Sequence, residues 1–303
     1  MASDGPWPFD PAVDAAAFRA LGFADTSAGI ARTQRDNREG WWAHARRHRA
    51  FILDAAQRVT HPRVVMVLGA GKAYDLPLVE LAQRFERVVL VDIDGEALKA
   101  TADAVVRGPL RARLHLQPMD ITGVTTQLAR GIAAALERAR DADAAEAALG
   151  QLAASYRLAA GVRLCAEPVD FLVSGMVLSQ IGLQPKLAAK RAFEQRFGPI
   201  REASAPRWSE AWDAFERRVQ QDHIDSLTSQ CALAVLTSDV VHRPTAGPPW
   251  TVIGTARLEE RLSGFQEILA RASWSWPRIS PRGGHDGVLT EVHALLLREA
   301  GKD

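Results

Sequence analysis

Short apolar runs alternate with amphipathic stretches from about residue 62 onward. Val64–Leu68 and Val88–Val91 are unbroken runs of mostly branched aliphatic residues, typical of strands buried on both faces of a parallel sheet. Helical periodicity fills the intervals, including Glu96–Val106 and Leu258–Ala270. Five further runs predict strands, at Arg113–Leu116, Phe171–Ser174, Ala232–Leu236, near Thr251–Thr255 or Ala272–Trp276, and at Leu289–Leu297. The alternation predicts an α/β fold with a doubly wound, seven-stranded, mostly parallel sheet.

Two helical regions fall outside this alternation. A short helix near Val13–Ala20 and an amphipathic helix over Ala31–Arg58 precede the first strand, and His61-Pro62 ends the second helix. The Ala-, Arg- and Glu-rich segment Thr125–Leu158 is helical by propensity and longer than the crossing to the next strand requires. We therefore divide the chain into an N-terminal helical arm or lid, residues 1–61, and a sheet domain, residues 62–303, with a helical insertion at about 123–165.

Composition and charge set the first expectations about partners. The 303 residues are 47% hydrophobic, and 37 basic against 36 acidic residues give a net charge of +1. This balance lacks the basic excess of a phosphate-coating surface, so we expect no nucleic acid partner. The N-terminus lacks the blocks of a signal peptide, and no apolar run reaches the roughly 18–20 residues that cross a bilayer. We expect a cytoplasmic protein with no membrane partner.

Ligands of doubly wound sheets bind beyond the carboxyl ends of the strands, so the residues there are the first candidates for chemistry. The first strand runs into Gly69-Ala70-Gly71, where glycines permit a tight turn and close approach of a ligand to the backbone. The second strand ends at Asp92-Ile93. A carboxylate at this position can accept hydrogen bonds from both hydroxyls of a ribose.

The third and fourth strand ends extend the pattern. The third is followed by Met119-Asp120-Ile121, in which the carboxylate can take the amine of an adenine while the apolar neighbours flank its ring. The fourth opens into Ser174-Gly175 at the same sheet edge. The alternative that Asp92 or Asp120 only caps a turn or a helix stays open. Together the four strand ends predict an adenosyl ligand.

At this point the sequence resembles the class I S-adenosylmethionine-dependent methyltransferases. The resemblance covers Arg63–Leu116 well and continues to Gln180 with a long interruption. It extends more loosely through Ala232–Asp239 to the tail. Ser273-Trp274-Ser275-Trp276 and Glu291–Leu297 resemble the family's final antiparallel strand pair. The resemblance implies that S-adenosylmethionine is the cofactor and that S-adenosylhomocysteine is the product.

The resemblance also implies site residues and shows two departures. The methionine part of the cofactor would lie over Gly69, Ala70 and Gly71. The ribose would lie beside Asp92 and Ile93. The adenine would lie among Met119, Asp120 and Ile121, and Ser174 and Gly175 would be nearby. The family has an acid two residues before the first glycine, where this chain has Val67, and Ala73 replaces the third glycine of the loop. Asp75 is a candidate to compensate for Val67.

Methyl transfer is an in-line displacement that needs alignment and exclusion of water, and needs a base only when the acceptor carries a proton. It requires no metal. The candidate bases are His223 and Tyr74, with His242 as a further histidine. Trp41, Trp42 and Gln180 are candidates for the acceptor pocket, and His44 and His48 lie on the same predicted helix as the two tryptophans. A purely structural role stays open for each of them.

We expect a methyltransferase that acts on a small-molecule or peptide acceptor, and two other function classes remain. A nicotinamide-dependent oxidoreductase shares the glycine turn and the ribose acid, but the third glycine of its fingerprint would fall at Tyr74. A non-catalytic, methyltransferase-like partner protein is suggested by Val67 and by the helical insertion. That insertion suits a homodimer or protein-partner contact as well as an acceptor lid.

Overall fold

The computed structural model describes residues 12–105, 107–156, 164, 167–202, 204–252, 258–262, 266–279 and 287–299. The strands within these residues form one sheet in the order β3-β2-β1-β4-β5-β8-β7, with β6 paired to the outer part of β5. The strands are β1 Val64–Leu68, β2 Arg87–Asp92, β3 Leu114–Pro118, β4 Phe171–Gly175, β5 Leu233–Pro244, β6 Trp250–Thr251, β7 Gln266–Ile279 and β8 Val288–Glu299.

The first five strands of that order are parallel, and β8 runs antiparallel between β5 and β7. This arrangement confirms the predicted class I methyltransferase-like sheet with its final antiparallel pair. The two-residue β6 is an addition to the seven expected strands.

Helices cover both faces of the sheet. They are α1 Ala15–Ala20, α2 Phe23–Asp36, α3 Arg38–Gln57, α4 Leu78–Arg84, α5 Gly95–Val105, α6 Thr125–Arg138, α7 Ala142–Ala154, α8 Leu183–Phe197 and α9 Ala205–Gln230, with 3-10 turns at Gly108–Arg113 and Leu258–Arg261. Of the helices in the described ranges, none has the length and apolarity that crossing a membrane requires.

Alternation along β1 explains the two hydrophobic layers. Met66 and Leu68 face a core built with α6–α9, whereas Val65 and Val67 face a second core built with α3–α5. Successive side chains of a strand point to opposite faces, so a strand between two helical layers is apolar at every position. Val67, which stands where the family has an acid, is therefore a fully buried core residue.

Two long helices expected from the sequence are each divided. Ala31–Arg58 corresponds to α2 and α3, separated at Asn37, whose backbone (φ −130°, ψ 55°) is not helical. In the helical insertion, Asp141 caps a separate α7 by accepting a hydrogen bond from the Ala144 N–H. The end of the predicted segment, residues 157 and 158, lies outside the described residues.

The tail departs most from expectation. The predicted helix over Leu258–Ala270 is wrong, because in the described part of this range Leu258–Arg261 form a 3-10 turn and β7 begins at Gln266. The long antiparallel ladder between β7 and β8 satisfies the backbone over this stretch, which outweighs local helical periodicity. Of the strand predicted near Thr251–Thr255, only β6 is seen, and residues 253–255 lie outside the described part of the chain.

Candidate active site

A cavity of about 390 Å³ lies at the carboxyl ends of the parallel strands. Its wall combines the loops that follow β1 to β4 with residues of α1–α3 and of the strands β5 and β7. The size suits a small-molecule or cofactor site. The residues named from the sequence that line it are Trp41, His44, Gly69, Ala70, Gly71, Tyr74, Asp75, Asp92, Ile93, Met119, Asp120, Ile121, Gly175 and Gln180.

The glycine loop after β1 has a backbone that side chains would obstruct. Gly69 and Gly71 have φ angles of +68° and +45°, in the left-handed region. A Cβ on Gly69 would lie 2.6 Å from the Cβ of Val177. Ala73, which replaces the third glycine of the family's loop, adopts a φ of +48°. The loop is therefore pressed against the segment after β4 and open to the cavity.

Asp92 links this loop to the end of β2. Its Oδ2 accepts a hydrogen bond from the Gly71 N–H (2.8 Å) and its Oδ1 accepts one from the Asp94 N–H (2.8 Å). Burial raises the pKa of the Asp92 carboxyl to about 6. Each carboxylate oxygen can accept a second hydrogen bond, so the group retains acceptor capacity for two hydroxyls.

Asp120 builds the turn that leads into α6. Its carboxylate accepts hydrogen bonds from the Thr122 N–H and hydroxyl (2.9 and 2.7 Å) and from the Thr125 N–H (2.8 Å). Within the chain, Asp120 thus acts as a turn residue, which is the alternative that the sequence left open. Met119, whose N–H donates to the Asp92 carbonyl, and Ile121 line the cavity beside it. The adenine contacts stay a prediction.

A second wall of the cavity is formed by Trp41, Tyr74, Asp239, Trp276 and Arg278, which we name the tryptophan wall. The ring of Trp41 meets those of Trp276 and Tyr74 edge to face, at centroid distances of 4.8 and 6.2 Å. The Arg278 guanidinium lies 5.8 Å from the centre of the Trp276 ring. These residues come from α3, the loop after β1, β5 and β7.

Close contact between α3 and β7 fixes this wall. A Cβ on Gly40 would lie 2.2 Å from the carbonyl oxygen of Pro277, a contact that only glycine allows. The side-chain amide of Asn37 donates a hydrogen bond to the same carbonyl. Because Gly40 and Pro277 are chain neighbours of Trp41 and Trp276, this docking point holds the two indoles together.

Asp239 is the buried acid of the tryptophan wall. Its Oδ2 lies 3.4 Å from His242 Nε2 and 3.7 Å from Arg278 Nη1. Burial alone would raise the pKa of the Asp239 carboxyl, but the His242 hydrogen bond and the Arg278 charge hold it below its ordinary value. Asp239 is therefore a buried carboxylate next to a cation.

Asp75 anchors α3 to the glycine loop through two buried histidines. His44 Nε2 and His48 Nδ1 lie 3.2 and 2.8 Å from Asp75 Oδ2. The Trp274 N–H donates to His44 Nδ1 (3.1 Å), and the Thr237 hydroxyl lies 2.9 Å from His48 Nε2. Burial alone would raise the pKa of the Asp75 carboxyl, but His48 and His44 hold it well below its usual range.

These three side chains have ligand atoms close enough to hold a metal ion, all within 4.8 Å of one another. The indole of Trp274 argues for a hydrogen-bond network instead. A neutral histidine that binds a metal through Nε2 carries its proton on Nδ1, which would then face the Trp274 N–H. With Nδ1 as the acceptor, His44 donates from Nε2 to Asp75, and every donor has an acceptor.

Several predicted residues lie outside the cavity wall, and their assignment is corrected. His223 is buried beneath the sheet, 2.8 Å from the equally buried Ser174 hydroxyl, and burial lowers its pKa to about 4. Trp42 is 62% exposed on the surface of α3. His242 contacts Thr290 (2.8 Å) and lies 3.4 Å from Asp239, which lines the cavity. None of them is among the residues that line the cavity.

Sequence reasoning missed Asp239, Trp276 and Arg278. One signal was available for the tryptophan, because the alternating Ser273-Trp274-Ser275-Trp276 segment puts both indoles on one face of a strand. Asp239 lies in the part of β5 beyond the predicted strand end at Leu236. Most of the lining contributed by α2 was also missed, because Phe23 to Ile30 precede the start of the predicted helix at Ala31.

No protein-family model matches the chain, and no curated protein matches it. The solved structures similar to it include precorrin 8W decarboxylase from Methanobacterium thermoautotrophicum (15% identity, 83% of this chain and 89% of that chain, TM-score 0.34). They also include the 23S rRNA methyltransferase ErmE (11%, 84% and 69%, TM-score 0.36) and M. capricolum TrmK with S-adenosylhomocysteine (9%, 82% and 68%, TM-score 0.35). Conclusions about the chemistry of this chain rest on its own residues.

The expected partners are corrected at this point. The exclusion of nucleic acid, and with it the restriction to a small-molecule or peptide acceptor, was wrong, because it conflicts with structural neighbours such as ErmE that are named as RNA methyltransferases. The error has a physical reason. A net charge of +1 describes the whole chain, whereas binding of a polyanion depends on the local distribution of charge.

Proposed function

We propose that this protein is an S-adenosylmethionine-dependent methyltransferase. The observation that carries the proposal is the meeting of three strand ends in one cavity. The open glycine loop, the Asp92 carboxylate and the Met119–Ile121 turn line the same 390 Å³ space. An adenosyl ligand needs a close backbone approach, an acceptor for its ribose hydroxyls and an apolar slot for its base, and these groups supply all three.

The chain's own residues then divide the work of binding. Asp92 accepts hydrogen bonds from the ribose hydroxyls, and Met119 and Ile121 enclose the adenine. The cofactor supplies an electrophilic methyl group on a sulfonium ion. The tryptophan wall and the segment after β4 exclude water from the acceptor side, where alignment of the reacting groups lowers the barrier to transfer.

Asp75 takes the role of the acid that the methyltransferase family has at the position of Val67. It lines the cavity at the end of the glycine loop, and both histidine contacts go to its Oδ2. Oδ1 is thereby oriented by the histidines while it can accept a hydrogen bond from the cofactor's ammonium group. The lowered pKa keeps the group ionised, as such an ion pair requires.

Calorimetric titration with S-adenosylmethionine, S-adenosylhomocysteine and NADH tests the proposal. We expect micromolar or tighter binding of the first two and none of NADH. Asp92→Asn should weaken S-adenosylhomocysteine about 100-fold, from two weakened hydrogen bonds to a charged group. Asp103→Asn, at an exposed position of α5, is the matched control. NADH binding without binding of the methionine ligands would instead support the oxidoreductase alternative.

A further inference from the structure

Three buried polar atoms without a hydrogen-bond partner belong to side chains of the tryptophan wall. They are Trp41 Nε1, Trp276 Nε1 and Asp239 Oδ1, none of which has a partner among the described residues. The three side chains are 9%, 4% and 6% exposed. Buried indole N–H and carboxylate groups are normally paired, and leaving one unpaired costs about 1–3 kcal/mol. Three such groups on residues that line one cavity point to a ligand.

The neighbouring tryptophan shows that the chain can satisfy an indole here. Trp274, two residues before Trp276 on the same face of β7, donates its N–H to His44. A hydrogen bond from the Ser179 hydroxyl helps to lower the pKa of the Asp239 carboxyl. The Oδ1 atom of that carboxyl nevertheless has no hydrogen-bond partner. Within the aromatic cluster of α3 and β7, the unpartnered indoles are thus those of the two tryptophans that line the cavity, Trp41 and Trp276.

The chemistry of the missing partner follows from these atoms. Two N–H donors require two acceptors on the ligand, and one carboxylate oxygen requires one donor. The charges of Asp239 and Arg278 balance each other, so an uncharged ligand needs no further counter-ion. Aromatic side chains arranged edge to face favour a flat ring.

We propose that the tryptophan wall binds an uncharged planar ring of the methyl acceptor, through a ring N–H on Asp239 and two ring carbonyls on Trp41 and Trp276. An imide or lactam edge has this acceptor–donor–acceptor pattern. The inference deepens the proposed function and rests on it, since it places the acceptor in the same cavity as the cofactor. Such a ring occurs both free and as a base within a nucleic acid strand.

Indole N–H resonances of ¹⁵N-labelled protein test the proposal directly. Uracil is the probe, and 1,3-dimethyluracil is its control without an N–H. We expect uracil at millimolar concentration, with S-adenosylhomocysteine bound, to move the Trp41 and Trp276 indole signals downfield. The signals are assigned from Trp41→Phe and Trp276→Phe. The Trp212 signal should stay fixed, because that indole is equally buried and unpartnered but lies in the helical core away from the cavity.

The dimethyl compound should bind about tenfold more weakly, as expected for one lost hydrogen bond to a charged group. Asp239→Asn should remove most of that difference while leaving the affinity for S-adenosylhomocysteine unchanged, which also shows that the variant folds. Uridine trinucleotide distinguishes the two sources of the ring. Tighter binding than uracil at the same two indoles indicates a strand, and weaker binding indicates a free ring.

Absence of uracil-induced shifts at Trp41 and Trp276, or equal shifts with the dimethyl compound, would overturn the proposal. The titration is repeated without S-adenosylhomocysteine, so that its outcome is separate from cofactor binding. A protein that shows the indole shifts but binds no S-adenosylhomocysteine would defeat the proposed function and leave the ring site standing.

Discussion

The two walls of the cavity differ in how their polar groups are satisfied. On the glycine-loop side, Asp92 and Asp120 each accept hydrogen bonds from backbone N–H groups of their own or a neighbouring loop. On the tryptophan side, Asp239 and two indoles retain atoms without a partner. The carboxylates of the first wall are held by hydrogen bonds within the chain before a ligand arrives. The second wall has buried polar atoms whose hydrogen bonds a ligand would supply. A preorganised cofactor site next to a selective acceptor site would show this difference.

The largest effect is expected on the glycine-loop side, from Gly69→Ala. A left-handed φ costs a non-glycine residue about 1–2 kcal/mol, and the new Cβ would meet Val177 at 2.6 Å. We expect the free energy of unfolding to fall by more than that cost, and binding of S-adenosylhomocysteine to be lost in calorimetry. Gly108→Ala is the control, because Gly108 has a φ of +65° with nothing within 4 Å of a Cβ. Equal losses in the two variants would contradict the close contact.

The network that joins the walls is tested by Asp75→Asn. An amide would place N–H groups or a single oxygen where the carboxylate now accepts from two histidines. We expect urea denaturation at pH 7 to show a loss of about 2 kcal/mol. Because the pKa of Asp75 in the folded protein lies below its ordinary value, this difference should shrink as the pH falls below that ordinary value. Asp54→Asn, which removes an exposed ion pair with Arg58 on α3, should cost less than about 0.5 kcal/mol. An equal stability of all three proteins would refute the network.

The tryptophan side alone is perturbed by Gly40→Ala. The new Cβ would meet the Pro277 carbonyl at 2.2 Å and move α3 away from β7, which separates Trp41 from Trp276. We expect uracil affinity to fall about tenfold while that of S-adenosylhomocysteine changes less than threefold, a difference of about 1 kcal/mol. Gly150→Ala, in α7 with its nearest neighbour at 4.0 Å, should be neutral or slightly stabilising. Equal losses for both ligands would show that the walls are not independent.

The smallest effect is a pH dependence of the glycine-loop side. Asp92 has a raised pKa of about 6, so it is ionised at pH 7 and takes up a proton as the pH falls through that value. Since the ribose hydroxyls donate to the ionised form, the dissociation constant of S-adenosylhomocysteine should rise below pH 6, by at most tenfold per pH unit. Asp92→Asn should remove the dependence. A flat profile for the wild-type protein would contradict the role of this carboxylate.

The same contrast explains what the sequence could predict. The glycine-loop wall consists of short segments that each follow an apolar run, so periodicity and topology locate them together. The tryptophan wall joins α3, β5 and β7, which are up to about 240 positions apart, as the Asn37 to Pro277 hydrogen bond illustrates. Such contacts depend on tertiary packing. The false helix at Leu258–Ala270 has the same origin, because ladder pairing with β8 decides the structure there.

The candidate histidines show a second limit of prediction from the sequence. The sequence indicates His223 and His242 as candidate bases because histidine is the usual base near neutral pH. Burial lowers the pKa of His223 to about 4 and leaves it paired with Ser174, so it cannot serve the cavity. Whether a histidine is exposed to a ligand depends on strand direction and helix packing, which residue type does not encode.

A crystal structure with S-adenosylhomocysteine would test most directly whether the cofactor binds in this cavity. We expect both ribose hydroxyls on the Asp92 carboxylate, the adenine between Met119 and Ile121, and the sulfur directed towards the tryptophan wall. A ligand bound elsewhere, or one in this cavity that leaves Asp92 without a contact, would contradict this expectation.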